Sequence, residues 1–345
     1  MTPGRQRPDL GLISTLFYSH MTSAQSHIAE SLRVLLADLI DYAGLFPPAG
    51  LDMKSAVSNY ARYSREEYSW MLGRFVLPAG RLGEFEQALG EVSAGAANDP
   101  WRLSVLVGPK LDDDMRALEA FAPRCEQRAV IDCVETKVAS ADEVKAAHGR
   151  IGSATMTYYE TPLTAELPRL LDAIKEVGGR AKVRTGGLTA EAFPSTEAVA
   201  GFLIECAKRD LAFKATAGLH HPVRCVKPFT YEKDSARGVM HGFLNVFLAA
   251  AKVWARKRSR ESGMYAGERR ADRPMFPGHF DCTDTSVTST LKRVSPPFPF
   301  GDTNSEELLD LPTSIIAETR RDFAISFGSC SFEEPIADLR ALNLL

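Results

Sequence analysis

The chain has 345 residues, of which 45% are hydrophobic and 25% are charged, and its formal net charge at pH 7 is −3. This composition is typical of a globular protein with a sizeable core, and the near-neutral charge argues against a nucleic-acid-binding protein. Six cysteines lie far apart without a C-x-x-C pair, which predicts reduced thiols in a cytoplasmic protein. The longest apolar stretch, 241–254, is too short to cross a bilayer, so no membrane partner is expected.

The N-terminus weakly resembles a signal peptide. Its basic residues are separated from a modest apolar patch by Pro8 and Asp9, and Met21 is a second plausible start beside Met1. We therefore predict a disordered leader over 1–30 rather than a targeting segment.

From about residue 36, short β-branched or apolar segments alternate with helical patterns. Such strands pair in parallel through right-handed crossovers, and eight strand–helix units close most economically as a (β/α)₈ barrel. The alternative, an open doubly wound sheet, is disfavoured because no G-x-G-x-x-G follows the first strand. We predict the barrel over 31–256, with an eighth strand or helix at 240–254. The first seven strands are expected within 39–46, 69–78, 102–108, 129–138, 154–160, 180–186 and 211–218.

The alternation ends near residue 255. Segment 257–303 is rich in Arg, Ser, Pro, Gly and Asp, which indicates irregular structure, and short helical patterns follow it. We predict a mostly helical and irregular extension over 257–345 that packs on the barrel. Within it, 327–332 suggests a nucleophilic role for Cys330, but no base is fixed by the sequence, so a structural turn is favoured.

Two lysines lie in strands that should line the barrel. Lys182 and Arg184 share one face of the sixth strand, and Lys214 and Thr216 share one face of the seventh. The opposite faces are apolar and must meet the helices, so the polar faces should point inward. The carboxyl ends of such strands are where barrel enzymes carry their active sites.

A buried ammonium group needs a carboxylate partner or must lose its proton. Either solution is open here. One lysine could lower the pKa of the other and make it a nucleophile. Otherwise carboxylates from strand ends could pair with both lysines; the candidates are Asp41, Asp132, Glu135 and Glu160.

Four short motifs, in order along the chain, resemble the deoxyribose-phosphate aldolase family of Schiff-base aldolases. They are "LIDYAGLFPPA" (39–49), "ETPLT" (160–164), "KVRTGG" (182–187) and "FKATAGL" (213–219). The resemblance implies a (β/α)₈ barrel in which Lys182 forms the imine and Lys214 perturbs it. Arg184 stands where the family has a small hydroxyl residue, and the family's Gly-Ser turn for phosphate is missing, so recognition of a phosphate group stays open.

These observations predict a lyase that makes or breaks a carbon–carbon bond of a small carbonyl compound through a lysine Schiff base. The substrate would be anionic, and no metal or cofactor is assigned. The predicted catalytic residues are Lys182, Lys214, Asp41, Asp132 and Glu160. The predicted substrate-binding residues are Arg74, Glu135, Arg184, Thr185, Gly186, Gly187, Thr216, Gly218, His220 and His221.

Two alternatives remain. A metal-dependent barrel enzyme could use His220, His221 and His241 with a carboxylate, although adjacent histidines on an extended chain point in opposite directions. A catalytically silent barrel could instead bind a small anion. The sequence predicts a small-molecule partner and leaves open whether the chain forms a homo-oligomer.

Overall fold

A computed structural model describes residues 28–92, 100–261, 285–294 and 311–345. The helices and strands alternate along most of this length. In chain order they are α1 (Glu30–Leu36), β1 (Ile40–Tyr42), α2 (Met53–Tyr63), β2 (Leu72–Pro78), α3 (Leu82–Glu91), β3 (Trp101–Leu106), α4 (Leu111–Cys125), β4 (Ala129–Lys137), α5 (Ala141–Ile151), β5 (Thr157–Thr161), α6 (Leu167–Glu176), β6 (Arg180–Arg184), α7 (Thr196–Lys208), β7 (Phe213–Thr216), β8 (Cys225–Pro228), β9 (Arg237–Met240), α8 (Phe243–Glu261), α9 (Thr285–Lys292), α10 (Thr313–Asp322), β10 (Ala324–Ser329) and α11 (Glu333–Ala341).

Eight strands form a closed barrel in the order β1-β10-β7-β6-β5-β4-β3-β2, and every neighbouring pair is parallel. The predicted fold class, a (β/α)₈ barrel with further C-terminal helices, is confirmed. All seven strands predicted from the alternating pattern are present. Serine caps begin two of the predicted helices, because Ser140 and Ser195 accept hydrogen bonds from the backbone N–H groups of Glu143 and Ala198.

For segment 240–254, predicted as a strand or a helix, the helix is confirmed and the strand is wrong. Segment 240–254 belongs mostly to α8, and the barrel is closed by β10, which lies inside the segment 257–345 that was expected to be an extension. The turn predicted from residue 327 begins only after Ser329. The barrel therefore does not end at residue 256.

The burial of α8 explains why its pattern was ambiguous. Residues around the whole helix are buried, because α8 packs against α7, α9, α10 and β10 together. A helix covered on all sides has no polar stripe, and periodicity then cannot separate it from a strand. On β10 the outward Phe327 stacks on Phe243, while Ser326 and Gly328 face the barrel interior and give the strand little apolar character.

The N-terminal leader and much of the irregular segment lie outside the described residues. Of the leader predicted over 1–30, only the start of α1 is described, and of the segment 257–303 the described parts are the end of α8 and residues 285–294. Among the residues that the structure covers, no helix is both long and apolar enough to span a membrane.

An antiparallel hairpin lies between β7 and α8. It consists of β8 and β9, paired from Cys225 with Met240 to Pro228 with Arg237. The hairpin is not part of the barrel wall. The loop between its strands carries Tyr231 to the segment that follows β10, where its hydroxyl donates to Glu334 at 2.9 Å. The hairpin thus contributes to the carboxyl end of the barrel.

Candidate active site

A charged network fills the middle of the barrel. The Nζ atom of Lys214 lies 2.6 Å from Asp41 Oδ2 and 2.5 Å from Glu135 Oε1. Asp41 also accepts hydrogen bonds from the Ser326 hydroxyl at 2.7 Å and from the Arg74 backbone N–H at 2.8 Å. Lys214 is 1% exposed and Asp41 is fully buried, so these groups depend on one another for solvation.

Glu135 joins this network to Lys182. Its second oxygen lies 2.6 Å from Lys182 Nζ, and Glu160 lies 2.7 Å from the same nitrogen. The strand register explains the assembly, because Lys182 is aligned with both Glu160 on β5 and Lys214 on β7. The Ser104 hydroxyl on β3 donates to Glu135 at 2.5 Å, which fixes the bridging carboxylate from the other side.

The electrostatics follow from this pairing. Burial lowers the pKa of Lys182, but Glu135 and Glu160 outweigh burial, so the net pKa is raised. Burial likewise lowers the pKa of Lys214, and Asp41 with Glu135 reverses the shift and raises it. Burial raises the pKa values of Asp41 and Glu135, and the neighbouring cations more than offset this, so both are lowered.

The sequence left open whether the buried lysines are paired with carboxylates or whether one of them is neutral, and the structure shows the pairing. Carboxylates pair with both amines. The expectation that Lys214 lowers the pKa of Lys182 is wrong, because Glu135 lies between the two ammonium groups and stabilises both positive charges.

The upper part of the network opens into a cleft at the carboxyl ends of the strands. The cavity has a volume of about 240 Å³, and an adjoining opening beside β2 and β3 shares Glu135, Glu160 and Lys182 with it. The inward orientation predicted for the lysine faces is confirmed. The predicted site residues that line the cleft are Glu135, Glu160, Lys182, Arg184, Gly187, Lys214, Thr216, Gly218 and His220.

Arg184 is the cation of this cleft that no carboxylate neutralises among the residues described. Its side chain is exposed at the end of β6, and it makes no hydrogen bond or ion pair with the described part of the chain. A Cβ added to Gly187 would lie 2.6 Å from the Ala192 Cβ, so the glycine permits close packing of this loop against Ala192 beside the guanidinium. A free guanidinium in a cleft can bind a carboxylate or phosphate through two parallel hydrogen bonds.

Two glycines bring the loops after β6 and β7 together. Gly218 has a φ of +74°, which favours glycine, and a Cβ added to Gly186 would lie 2.7 Å from the Gly218 Cα. The Thr185 hydroxyl donates to the Ala217 carbonyl at 2.7 Å and links the same loops. Thr185 and Gly186 therefore shape the rim rather than line the cleft.

Four polar side chains cluster at the rim beside β10. His220 Nδ1 lies 3.2 Å from Glu334 and 4.0 Å from Cys330 Sγ, and Tyr231 contacts both Glu334 and Cys330. Burial lowers the pKa of His220, but Cys330 and Glu334 outweigh it and raise the pKa to about 9. We call these four residues the rim cluster. In the sequence, His220 and Tyr231 precede Cys330 and Glu334 by about a hundred positions, so only His220 was predicted as a site residue.

The raised pKa of His220 in the rim cluster should make the stability of the protein depend on pH. The folded pKa of His220 is about 9 against an ordinary 6.5, so its contribution is complete below pH 6.5 and is lost as the pH rises through 9. The titratable groups facing it are His221, Tyr231, Cys330 and Glu334. We expect the free energy of unfolding, from urea titrations, to fall by about 3 kcal/mol over this range.

In the His220→Gln variant this decline should disappear, whereas His148→Gln, on α5 away from the rim, should retain it. An equal decline in His220→Gln and in the unmodified protein would contradict the assignment.

Three predicted residues lie away from the cleft. Arg74 Nε donates to Asp132 at 2.5 Å, and this pair lies toward the amino-terminal halves of β2 and β4. His221 Nδ1 contacts Asp338 at 2.5 Å on the side of α11. Asp132 as a proton relay and Arg74 and His221 as substrate contacts thus receive no support from position. Asp41 is also absent from the cleft surface and acts on it through Lys214.

The histidines do not assemble a metal site. His241 Nε2 contacts the Pro194 carbonyl at 2.8 Å, while His220 and His221 contact different acidic residues of α11. Within the described ranges, no group of three or more His, Cys, Asp or Glu side chains is arranged to hold a metal ion. In this part of the chain, His220, His221 and His241 are thus not brought together as the alternative metal centre requires.

Comparisons of this chain with protein-family models, with curated proteins and with solved structures found no match. The resemblance of four strand motifs to the Schiff-base aldolases therefore stays a prediction. What the geometry itself establishes is a closed eight-stranded parallel barrel with two paired lysines beneath a cleft.

Proposed function

We propose that the protein is a lyase-like enzyme that forms an imine between Lys182 and a small anionic carbonyl compound. The observation that carries the proposal is the position of the Lys182 amine, 2.6 and 2.7 Å from two carboxylates in the wall of an enclosed cleft. A lysine on the inner face of a barrel strand with acid–base partners on both sides has what imine chemistry requires.

The chemistry can proceed although the resting amine is charged. Glu160 accepts one ammonium proton, and the neutral amine attacks the carbonyl carbon to give a carbinolamine. The protonated Glu160 then returns its proton to the hydroxyl group, which leaves as water, and the nitrogen lone pair forms the iminium. Three N–H bonds become one N–H bond and a water molecule, so the step balances without a net change in protons.

A carbon–carbon bond can then break with the iminium as electron acceptor. A base removes the proton of the hydroxyl group on the β-carbon, a new carbonyl forms there, and the bonding electrons move into the imine to give an enamine. We assign this role to Glu160, which lines the cleft 2.7 Å from the Lys182 nitrogen and is more exposed than Glu135. The reverse sequence makes the bond.

Arg184 and His220 supply the preference for an anion. Arg184 follows Lys182 by two residues on the same face of β6, a separation of about 6–7 Å along a strand. A compound with its carbonyl at Lys182 and a carboxylate or phosphate at Arg184 therefore has only a few atoms between these groups. The raised pKa keeps His220 positively charged at neutral pH, which adds to the attraction.

Reductive trapping tests the proposal. The protein is incubated with pyruvate, glyoxylate or acetaldehyde and then with sodium borohydride, and the modified residue is found by peptide mass spectrometry. We expect a stable adduct on Lys182, faster with the two carboxylates than with acetaldehyde. Lys182→Met should abolish it, whereas Lys145→Met, at an exposed lysine of α5 paired with Glu176, should not change it.

An adduct that persists in Lys182→Met, or that forms equally on surface lysines, would exclude the imine. The strong ion pairing of both lysines favours a second candidate, a barrel that binds a small anion without reacting with it. Saturable binding of pyruvate by calorimetry, lost in Arg184→Leu and accompanied by no trapping, would support that candidate instead.

A further inference from the structure

The rim cluster contains a second nucleophile in the same cleft. Cys330 follows β10 directly, at the carboxyl end of the barrel where strand ends carry chemistry, and both Cys330 and His220 line the cleft. The two residues come from adjacent strands, since β10 pairs with β7 and His220 lies in the loop after β7. Neither residue exchanges a proton or forms a bond in the imine steps proposed at Lys182.

The contacts of His220 orient its imidazole ring with one edge toward the Cys330 sulfur. His220 Nδ1 lies 4.0 Å from Cys330 Sγ and 3.2 Å from Glu334, and Tyr231 donates to the same Glu334 at 2.9 Å. The other ring nitrogen of His220 makes no hydrogen bond with the part of the chain that the structure describes. The imidazole is therefore anchored by one edge, and its other edge is available to a molecule in the cleft.

The contact with a histidine distinguishes Cys330 from the other cysteines described. Burial raises the pKa of Cys133 and of Cys225 to about 11, and it raises the pKa values of Cys125 and Cys206 as well. None of these four contacts a histidine. A thiol reacts through its thiolate, which a neighbouring imidazolium stabilises, so Cys330 has the environment of a reactive cysteine.

We propose that Cys330 and His220 form a second covalent site, which adds reversibly to a small aldehyde. The Cys330 S–H bond breaks and an S–C bond forms to the carbonyl carbon. The carbonyl oxygen takes a proton from His220, and the thiol proton restores the imidazolium. The product is a hemithioacetal, and the addition needs no oxidant, reductant or further reactant.

The chemical class of the ligand follows from the cleft. Its volume of about 240 Å³ admits only a small molecule, and Cys330 is 6% exposed, so access is through the cleft. Arg184 in the same cleft favours an aldehyde that also carries a negative charge. The titratable groups facing Cys330 are His220, Tyr231 and Tyr42, with Glu334 behind His220.

Alkylation rates test the site in the full-length protein. With iodoacetamide at pH 7, peptide mapping should show Cys330 modified at least about tenfold faster than Cys225, since His220 lies beside the Cys330 sulfur and an imidazolium stabilises the reacting thiolate. Propionaldehyde should slow the modification of Cys330 and leave that of Cys225 unchanged. His220→Gln should remove both the fast rate and the protection, and Glu334→Gln, which leaves the imidazole in place, should reduce them in part.

A spectroscopic signal identifies the adduct itself. Propionaldehyde labelled with carbon-13 at the carbonyl should give a hemithioacetal resonance that is lost in Cys330→Ser. The resonance should persist in Lys182→Met, which separates this site from the imine. The proposal is overturned if Cys330 is alkylated no faster than Cys225, if propionaldehyde does not protect it, or if the resonance survives in Cys330→Ser.

Discussion

Replacing Lys214 with methionine should lower the free energy of unfolding by about 3–5 kcal/mol, because removal of one partner leaves buried charge uncompensated. Lys214 is the cation that contacts both Asp41 and Glu135, and all three side chains are at most 3% exposed. Methionine fills a similar volume, so the loss comes from the charge and not from a cavity.

The pH dependence of this loss separates an electrostatic cause from a packing defect. Without Lys214, burial is opposed only by Arg74 at Asp41 and by Lys182 at Glu135, so the folded pKa values of both carboxylates should rise from their lowered values. As the pH falls and both carboxylates become protonated, the free energy of unfolding of the variant should approach that of the unmodified protein. A loss of stability caused by a packing defect would persist in acid. Adding Asp41→Asn to Lys214→Met should recover part of the lost stability at neutral pH.

Lys208→Met is the matched control. This lysine pairs with Glu205 on the surface of α7, where an ion pair contributes less than about 1 kcal/mol. Equal urea midpoints for Lys214→Met and Lys208→Met at pH 7, followed by circular dichroism, would show that the buried network does not stabilise the barrel.

Replacing Glu160 with glutamine should slow reductive trapping at Lys182 by about 10²-fold or more, since general acid–base catalysis contributes about 10²–10⁴-fold. Glutamine can still hydrogen-bond to the amine but cannot accept its proton. The fold should tolerate the change, because Lys182 keeps its 2.6 Å contact with Glu135 and Glu160 is at the edge of the cleft. The measurement is the initial rate of adduct formation with glyoxylate and borohydride.

Glu166→Gln is the control for this prediction, at an exposed carboxylate before α6 that pairs with Arg169. Its trapping rate and melting temperature should match those of the unmodified protein. If Glu160→Gln traps glyoxylate at the normal rate while Lys182→Met does not trap it, the imine would stand and the proton acceptor would have to be Glu135.

Most strands of the barrel could be predicted from the sequence because the patterns that indicate them are local. Seven strands were predicted from short apolar segments between helical patterns, and the inward direction of Lys182 and Lys214 followed from alternation along single strands. Such inferences need only residues that are neighbours in the chain. The same reasoning identified several residues that line the cleft. Arg184 and Thr216 each follow a lysine by two positions, and Gly218 follows Lys214 by four.

The eighth strand and the rim cluster required the tertiary structure. About 60 residues separate α8 from β10, and the inward Ser326 and Gly328 give β10 little apolar character, so no clear apolar segment marked the strand. Cys330 and Glu334 reach His220 only because this late strand inserts between β1 and β7.

The sequence alone thus determined the class of barrel and the two inward lysines, because side-chain alternation is a property of a single strand. The charge state of those lysines was decided by tertiary structure. Asp41, Glu135 and Glu160 come from three other strands, and only barrel closure with its register brings them within 2.7 Å of the amines. A pKa depends on the charges around a group in space, and those charges are here up to 173 residues away along the chain.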